Sequence, residues 1–384
     1  MDPLERAQLL LDEVAQRALA DVPDGAVLFD AHTHLGDDID GMRGRPDEML
    51  AMFDQLGIVG SFTFCLDEPD RVPAFTAAND RTLAYAAANP DRIVPFVRLD
   101  LEERPVEEAI RCLDLGARGI KLHPRAQKFS VGDKRLDGVF ALAVERDVPI
   151  LIHGGRGLPP IGDHLASLVE RYTGVRLIIA HAGIADLGGM AAHFGGVPGV
   201  FFDTSVWSVV DLLDLMRQVA PQQILFATDY PYGRLPNALL LALRAARLAR
   251  FDDDELRGLV GGNALSIANG DSLPELTAAK GPEEIAHPLP LARIHSYIGM
   301  ALPLLWMRMP DRGGGLGLAL NAAQEANVDH VPDADLIRGA LACATELWAG
   351  IGEIEDRAES ERIARPARML VHIADILAVT AATG

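Results

Sequence analysis

Cysteine is scarce: Cys65, Cys112 and Cys343 are scattered through 384 residues with no C-x-x-C step, which excludes a disulfide framework and suits a reducing compartment. Positive charge is short as well. Thirty-five Lys and Arg face 55 Asp and Glu, a formal net charge of -20, so the overall field repels phosphate backbones and anionic bilayers. Neither nucleic acid nor a membrane is an expected partner. A small anionic substrate stays open, because a few arginines or a metal can reverse the potential inside a pocket. No apolar run reaches membrane-spanning length, the longest candidate (298–307) being broken by Pro303. The first twenty residues carry Asp2, Glu5, Asp12 and Glu13, the wrong sign for the start of a signal peptide. The expectation is a cytoplasmic protein opening on an amphipathic helix over 4–19. A solenoid-length repeat and a G-x-G-x-x-G turn are both missing.

What is present is an ordinary globular balance, 49% hydrophobic and 23% charged, in a chain long enough for one large domain with an appendage or for two domains. Short runs rich in Val, Ile, Leu and Phe predict eight strands, at 27–29, 61–64, 93–97, 119–122, 150–152, 177–179, 200–202 and 224–226. Helical spacing of apolar residues fills the intervals, at 47–56, 73–88, 105–115, 136–146, 162–172, 184–194, 209–219 and 236–249. Strands alternating with helices imply right-handed parallel crossovers, and eight such units in about 250 residues match a closed (β/α)8 TIM barrel. The competing doubly wound sheet would place a glycine-rich turn after its first strand, where this chain reads His-Thr-His-Leu-Gly-Asp.

The expected division is an N-terminal helix (1–25), the barrel (26–270), a linker (271–290) holding Pro274, Pro282, Pro288 and Pro290, and a helical C-terminal region (291–384). Near the barrel's end, Gly261-Gly262-Asn263 reads as a helix stop with Asn263 capping the next helix. Helical patterns near 291–309, 316–327, 333–348 and 353–379 predict a C-terminal bundle without a catalytic motif, suited to packing or to homo-oligomer contacts.

Chemistry in a (β/α)8 barrel sits at the C-terminal ends of the strands. Five of the eleven histidines fall there. The first strand runs into Asp30-Ala31-His32-Thr33-His34, and period-two alternation turns His32 and His34 to one face. The fourth ends Gly-Ile-Lys121-Leu-His123-Pro, the fifth Leu-Ile-His153-Gly-Gly, the sixth Ile-Ala-His181-Ala-Gly, and the eighth Ala-Thr-Asp229-Tyr-Pro. Neutral imidazoles with one carboxylate suit a zinc-like ion, leaving a position open for a water whose pKa falls toward neutrality. Another histidine or aspartate within reach can move the proton. If Lys121 faces inward, so does His123, and the two either bind an anionic substrate group or support a ligand, unless the lysine pairs with a barrel carboxylate. Asp30 shares the face of His32 and could orient its imidazole. Arg125 and Arg156, on loops of the same face, suit a planar carboxylate, and Asp203, Thr204, Ser205 and Trp207 could line the pocket. His164, His193, His287, His295, His330 and His372 carry no assigned role.

This ordered set, with the strings Gly-Ile-Lys-Leu-His-Pro and Thr-Asp-Tyr-Pro, resembles the amidohydrolase superfamily over about residues 26–270, in the amidohydrolase-2 branch that includes aminocarboxymuconate semialdehyde decarboxylase. The resemblance implies that His32, His34, His153 and Asp229 bind one divalent metal, zinc being expected, and that His181 is the acid/base. It also leaves open a binuclear site, with a carboxylated Lys121 as bridge and His153 and His181 on the second ion. The implied activity is a metal-dependent hydrolase of an ester, lactone or amide, in which His181 or Asp229 moves the proton. A nonoxidative decarboxylase of a small carboxylic acid is the alternative, and a non-catalytic scaffold is the third reading.

Overall fold

The computed structural model describes residues 1–282, 284, 285 and 287–381. It is a mixed α/β fold with one nine-stranded sheet, in the order β2-β1-β3-β4-β5-β6-β7-β8-β9. The strands are β1 (Leu28–Asp37), β2 (Arg43–Gly44), β3 (Ile58–Cys65), β4 (Ile93–Arg98), β5 (Gly119–Leu122), β6 (Ile150–Ile152), β7 (Leu177–Ile179), β8 (Val200–Asp203) and β9 (Ile224–Leu225). All neighbours pair in parallel except β1 and β2, which form a short antiparallel hairpin. Every residue of β5, β6, β7 and β8 is buried, as expected of parallel strands covered on both faces.

The sheet curls round until its last strand meets its first. Ala31 N donates to Phe226 O (2.9 Å), Asp229 N to His32 O (2.9 Å) and His34 N to Tyr230 O (2.7 Å), and Thr33 bridges Tyr230 in parallel. The Asp30 carboxylate clasps the same seam, accepting from Thr228 N (3.0 Å) and Thr228 Oγ1 (2.6 Å) and from His32 N (3.0 Å). Asp30 therefore holds backbone across the seam and does not touch the His32 ring nitrogens, a correction to the orienting role expected of it.

The eight strands expected from hydrophobic runs correspond to β1 and β3 to β9. The first is much longer than 27–29, because its polar second half stays in the ladder between β3 and the segment after β9. Its register against β3 shifts between Asp30 and Thr33, a bulge that re-aims the chain at His32. Asn263 does not cap a helix: it lies within helical backbone after a π-helical turn, Gly258–Gly262, and its Nδ2 donates to Pro221 O and Ile224 O.

Alternation along the strands sorts the barrel interior into two levels. Phe62, Phe96, Leu151, Ile178, Phe201, Leu225 and Ala227 belong to one buried apolar cluster. One inward step further, at the C-terminal ends, stand Arg98, His153, Asp203 and Asp229. The level below is tight: at Gly119 an added Cβ would lie 2.5 Å from the Phe96 ring.

Contacts divide the chain into this α/β unit (22–238 and 249–281) and a helical unit of residues 1–21, 239–248 and 282–384. The helical unit carries helices Pro3–Ala20, Leu289–Trp306, Gly315–Ala323, Ala334–Trp348 and Arg357–Thr380. From Ala367 to Thr380 the last of these is buried at every position, the pattern of a helix packed on all sides. Among the described residues no helix is long and apolar enough to cross a membrane.

Candidate metal centre

Three of the expected ligands meet at the barrel mouth. His32 Nε2 and His34 Nε2 are 3.2 Å apart, and Asp229 Oδ1 lies 3.1 Å from His34 Nε2 and 3.3 Å from His32 Nε2. Donor atoms around a four-coordinate zinc, with bonds of about 2.0–2.1 Å, stand roughly 3.3 Å apart. The trio has the spacing and the N,N,O chemistry of a facial set for a divalent ion.

The imidazole of His32 is fixed from behind. Its Nδ1 lies 2.7 Å from Asp203 Oδ2, and a carboxylate there requires the proton on Nδ1, leaving the Nε2 lone pair facing His34 and Asp229. Asp203 Oδ1 accepts from His181 N (2.8 Å), Ser205 N (3.0 Å) and Ser205 Oγ (2.5 Å). Burial alone would raise this carboxyl, but the His32 and His181 imidazoles and the Ser205 hydroxyl hold it well below the usual carboxylate range.

His181 is fixed in turn. Its Nδ1 lies 2.9 Å from Ser205 O, a carbonyl that can only accept. The Nε2 lone pair then faces His153 Nδ1 at 3.0 Å. His153, expected as the fourth ligand, thus stands against His181 and outside the trio. It stacks on His123 with ring centroids 3.9 Å apart, and its buried Nε2 has no hydrogen-bond partner among the described residues. Lys121 Nζ is 3.3 Å from His32 Nε2 and 4.4 Å from the centre of the Phe64 ring.

Burial dominates the electrostatics. It pushes His32 down to about 3, lowers His34, His123, His153 and His181, and brings Lys121 down to about 7. Unprotonated imidazoles are what a cation requires of its ligands. Burial raises Asp229 well above the carboxylate range, against the pull of Lys121, and a bound cation would reverse that preference. His181 and Asp229 both hold left-handed backbone at φ 59°. Such strain costs of order 1–3 kcal/mol and gathers at functional sites.

These groups line a cavity of about 510 Å³. Its walls include His123, Arg125 and Arg156 from the sequence-based set, with Ser205 and Trp207. Sequence reasoning overlooked Arg98, Asp67 and Tyr232, which also line it. Arg98 carried the same signal as the histidines, a polar residue closing an apolar strand, but arginine at such a position is too common to stand out. Asp203 was expected only as lining, and its hold on two histidines is a contact no spacing encodes.

The amidohydrolase-2 family model matches residues 29–267. No curated protein matches the chain. Among solved structures, 2,6-dihydroxybenzoate decarboxylase from Rhizobium is 18% identical with a TM-score of 0.51, over 64% of this chain and 98% of its own. A dihydroxybenzoic acid decarboxylase from Polaromonas sp. JS666, with bound manganese and 2-nitroresorcinol, is 17% identical with a TM-score of 0.50, over 64% and 97%. A Staphylococcus aureus protein described as an amidohydrolase gives 18%, 0.50, 64% and 99%. At these identities the likeness is one of fold, TIM-barrel-like across the α/β unit. The chain belongs to the amidohydrolase family of metal-dependent enzymes.

Proposed function

We propose that the protein is a metal-dependent hydrolase acting on an ester, lactone or amide of a small, anionic molecule, with His32, His34 and Asp229 holding one divalent ion, zinc in the first instance. The observation that carries the reading is the mutual spacing of the three donor atoms, 3.1–3.3 Å, beside an unprotonated His181. An ion held there supplies, when bound, Lewis acidity toward a carbonyl oxygen and an acidified water. His181 is the base: with Nδ1 bound to Ser205 O, Nε2 is the atom that takes a proton and later returns it to the leaving group. Asp203 keeps His32 in the ligating tautomer, and the apolar level beneath excludes bulk water. Arg125 and Arg156 flank the mouth, where planar guanidinium groups suit a carboxylate.

Those same cations favour a second reading, nonoxidative decarboxylation of a small acid, in which carbon dioxide leaves and the vacated carbon takes up a proton from water, steered to it by His181. A binuclear site with carboxylated Lys121 is a variant of either. The test is metal analysis joined to a product assay. Zinc-supplemented protein should hold about one equivalent and His32→Ala below about a tenth. A panel of lactones, amides and aromatic acids separates addition of water from release of carbon dioxide. Wild type without tightly held transition metal would sink both readings.

A further inference from the structure

Arg98 and Lys121 are ladder partners across β4 and β5, so two cationic side chains stand side by side at the barrel mouth. Both line the cavity. Arg98 is 2% exposed and Lys121 0%. Like charges opposite one another in a sheet repel, and burial removes the water that would screen them. Counter-charge near Arg98 is thin. Of its five N–H donors one makes a hydrogen bond among the described residues, Nη1 to Cys65 O at 3.3 Å, and Nε is buried without a partner. The nearest carboxylate oxygen, Asp67 Oδ1, is 4.0 Å away and is held more closely by Arg71 Nε at 3.2 Å. The guanidinium carbon also lies 5.0 Å from the centre of the Phe75 ring. A buried guanidinium with most of its fork idle, facing a cavity and set beside a buried amine, is a receptor for a planar anion.

We propose that Arg98, assisted by Lys121, binds a carboxylate of the substrate, making the substrate an organic acid whose anionic group enters the barrel mouth on the β4–β5 side. This rests on the active-site reading above and narrows its substrate class. Arg98 is then the specificity residue, while the exposed Arg125 and Arg156 serve the rim. The outward-lying cations collect an anion, and the buried one selects its shape.

The test is calorimetric titration of the full-length protein, with and without added zinc, using benzoate as probe and benzamide as its neutral counterpart. Wild type should take up benzoate at least about tenfold more tightly than benzamide. Arg98→Met should lose that preference, and Arg98→Lys should keep part of it. Zinc content, measured on the same samples, should match wild type in both variants. Equal uptake of benzoate and benzamide by wild type would overturn the proposal without recourse to a variant, and so would an Arg98→Met protein that keeps the preference. Preference for benzoate in protein that binds no metal would instead strike the metal reading and leave the anion site standing.

Discussion

The strand-end histidines of the α/β unit and His295 of the helical unit lead opposite electrostatic lives, while His287 of the helical unit is lowered by burial like the former. In the α/β unit His32, His34, His123, His153 and His181 are all pushed below their ordinary pKa, burial being the chief cause in each. In the helical unit His295 is raised, because its Nδ1 lies 2.6 Å from Asp375 Oδ1 at a half-open position. A carboxylate alone does not decide the matter, since His32 has Asp203 equally close. What separates them is first the complete burial of His32 and then the Lys121 amine beside it. One arrangement keeps lone pairs free for a metal or a proton, and the other makes an ion pair.

The comparison is broken most directly by acid. A buried imidazole kept neutral in the fold binds fewer protons than in the unfolded chain, so metal-free α/β unit should lose stability as pH falls below about 6.5, by up to about 1.4 kcal/mol per pH unit for each such group. For His295 the sign reverses: its contribution is complete below the unfolded pKa and disappears as pH rises through the raised folded one. Imidazole nitrogen resonances followed from pH 7.5 to 5.5 should show His295 gaining a proton while the rings of His32, His34, His123 and His153 stay neutral. Protonation of those four alongside His295 would erase the distinction.

Asp203→Asn sharpens the comparison next. Losing the carboxylate behind His32 frees its tautomer, and zinc affinity should fall about 10–100-fold, read by competition with a chelator. An unchanged affinity would mean that the ring needs no such anchor. The smallest effect belongs to Asp375→Asn, which should flatten the pH dependence contributed by His295 at a cost of about 1 kcal/mol, the usual worth of one hydrogen bond. Chemical unfolding at pH 5.5 and 8 is the measurement.

Much of the site was legible because a strand has only two faces. Once eight apolar runs are recognised, a polar residue at the end of one must point into the barrel or out of it, and His32, His34, Lys121, His153, His181 and Asp229 declare themselves. Alternation is silent on what stands across the barrel. It could not reveal that His153 faces His181, that Asp203 reaches both His32 and the His181 backbone, or that Asp30 clasps Thr228. The bulge in β1 and the β1–β2 hairpin depend on pairing with strands distant in the chain, so local composition misplaced the end of the first strand. Asn263 shows the same limit, its side chain recruited by carbonyls some forty residues away.

The seam between the first and last strands carries one more consequence. His34 and Asp229 are separated by 195 residues and yet share a donor pair 3.1 Å apart. During synthesis the two histidines leave the ribosome long before Asp229 exists, so the carboxylate of this trio is missing until the last strand of the sheet has been made. The spacing of the three donor atoms is thereby tied to closure of the ring, and an ion taken up by this trio would report that closure.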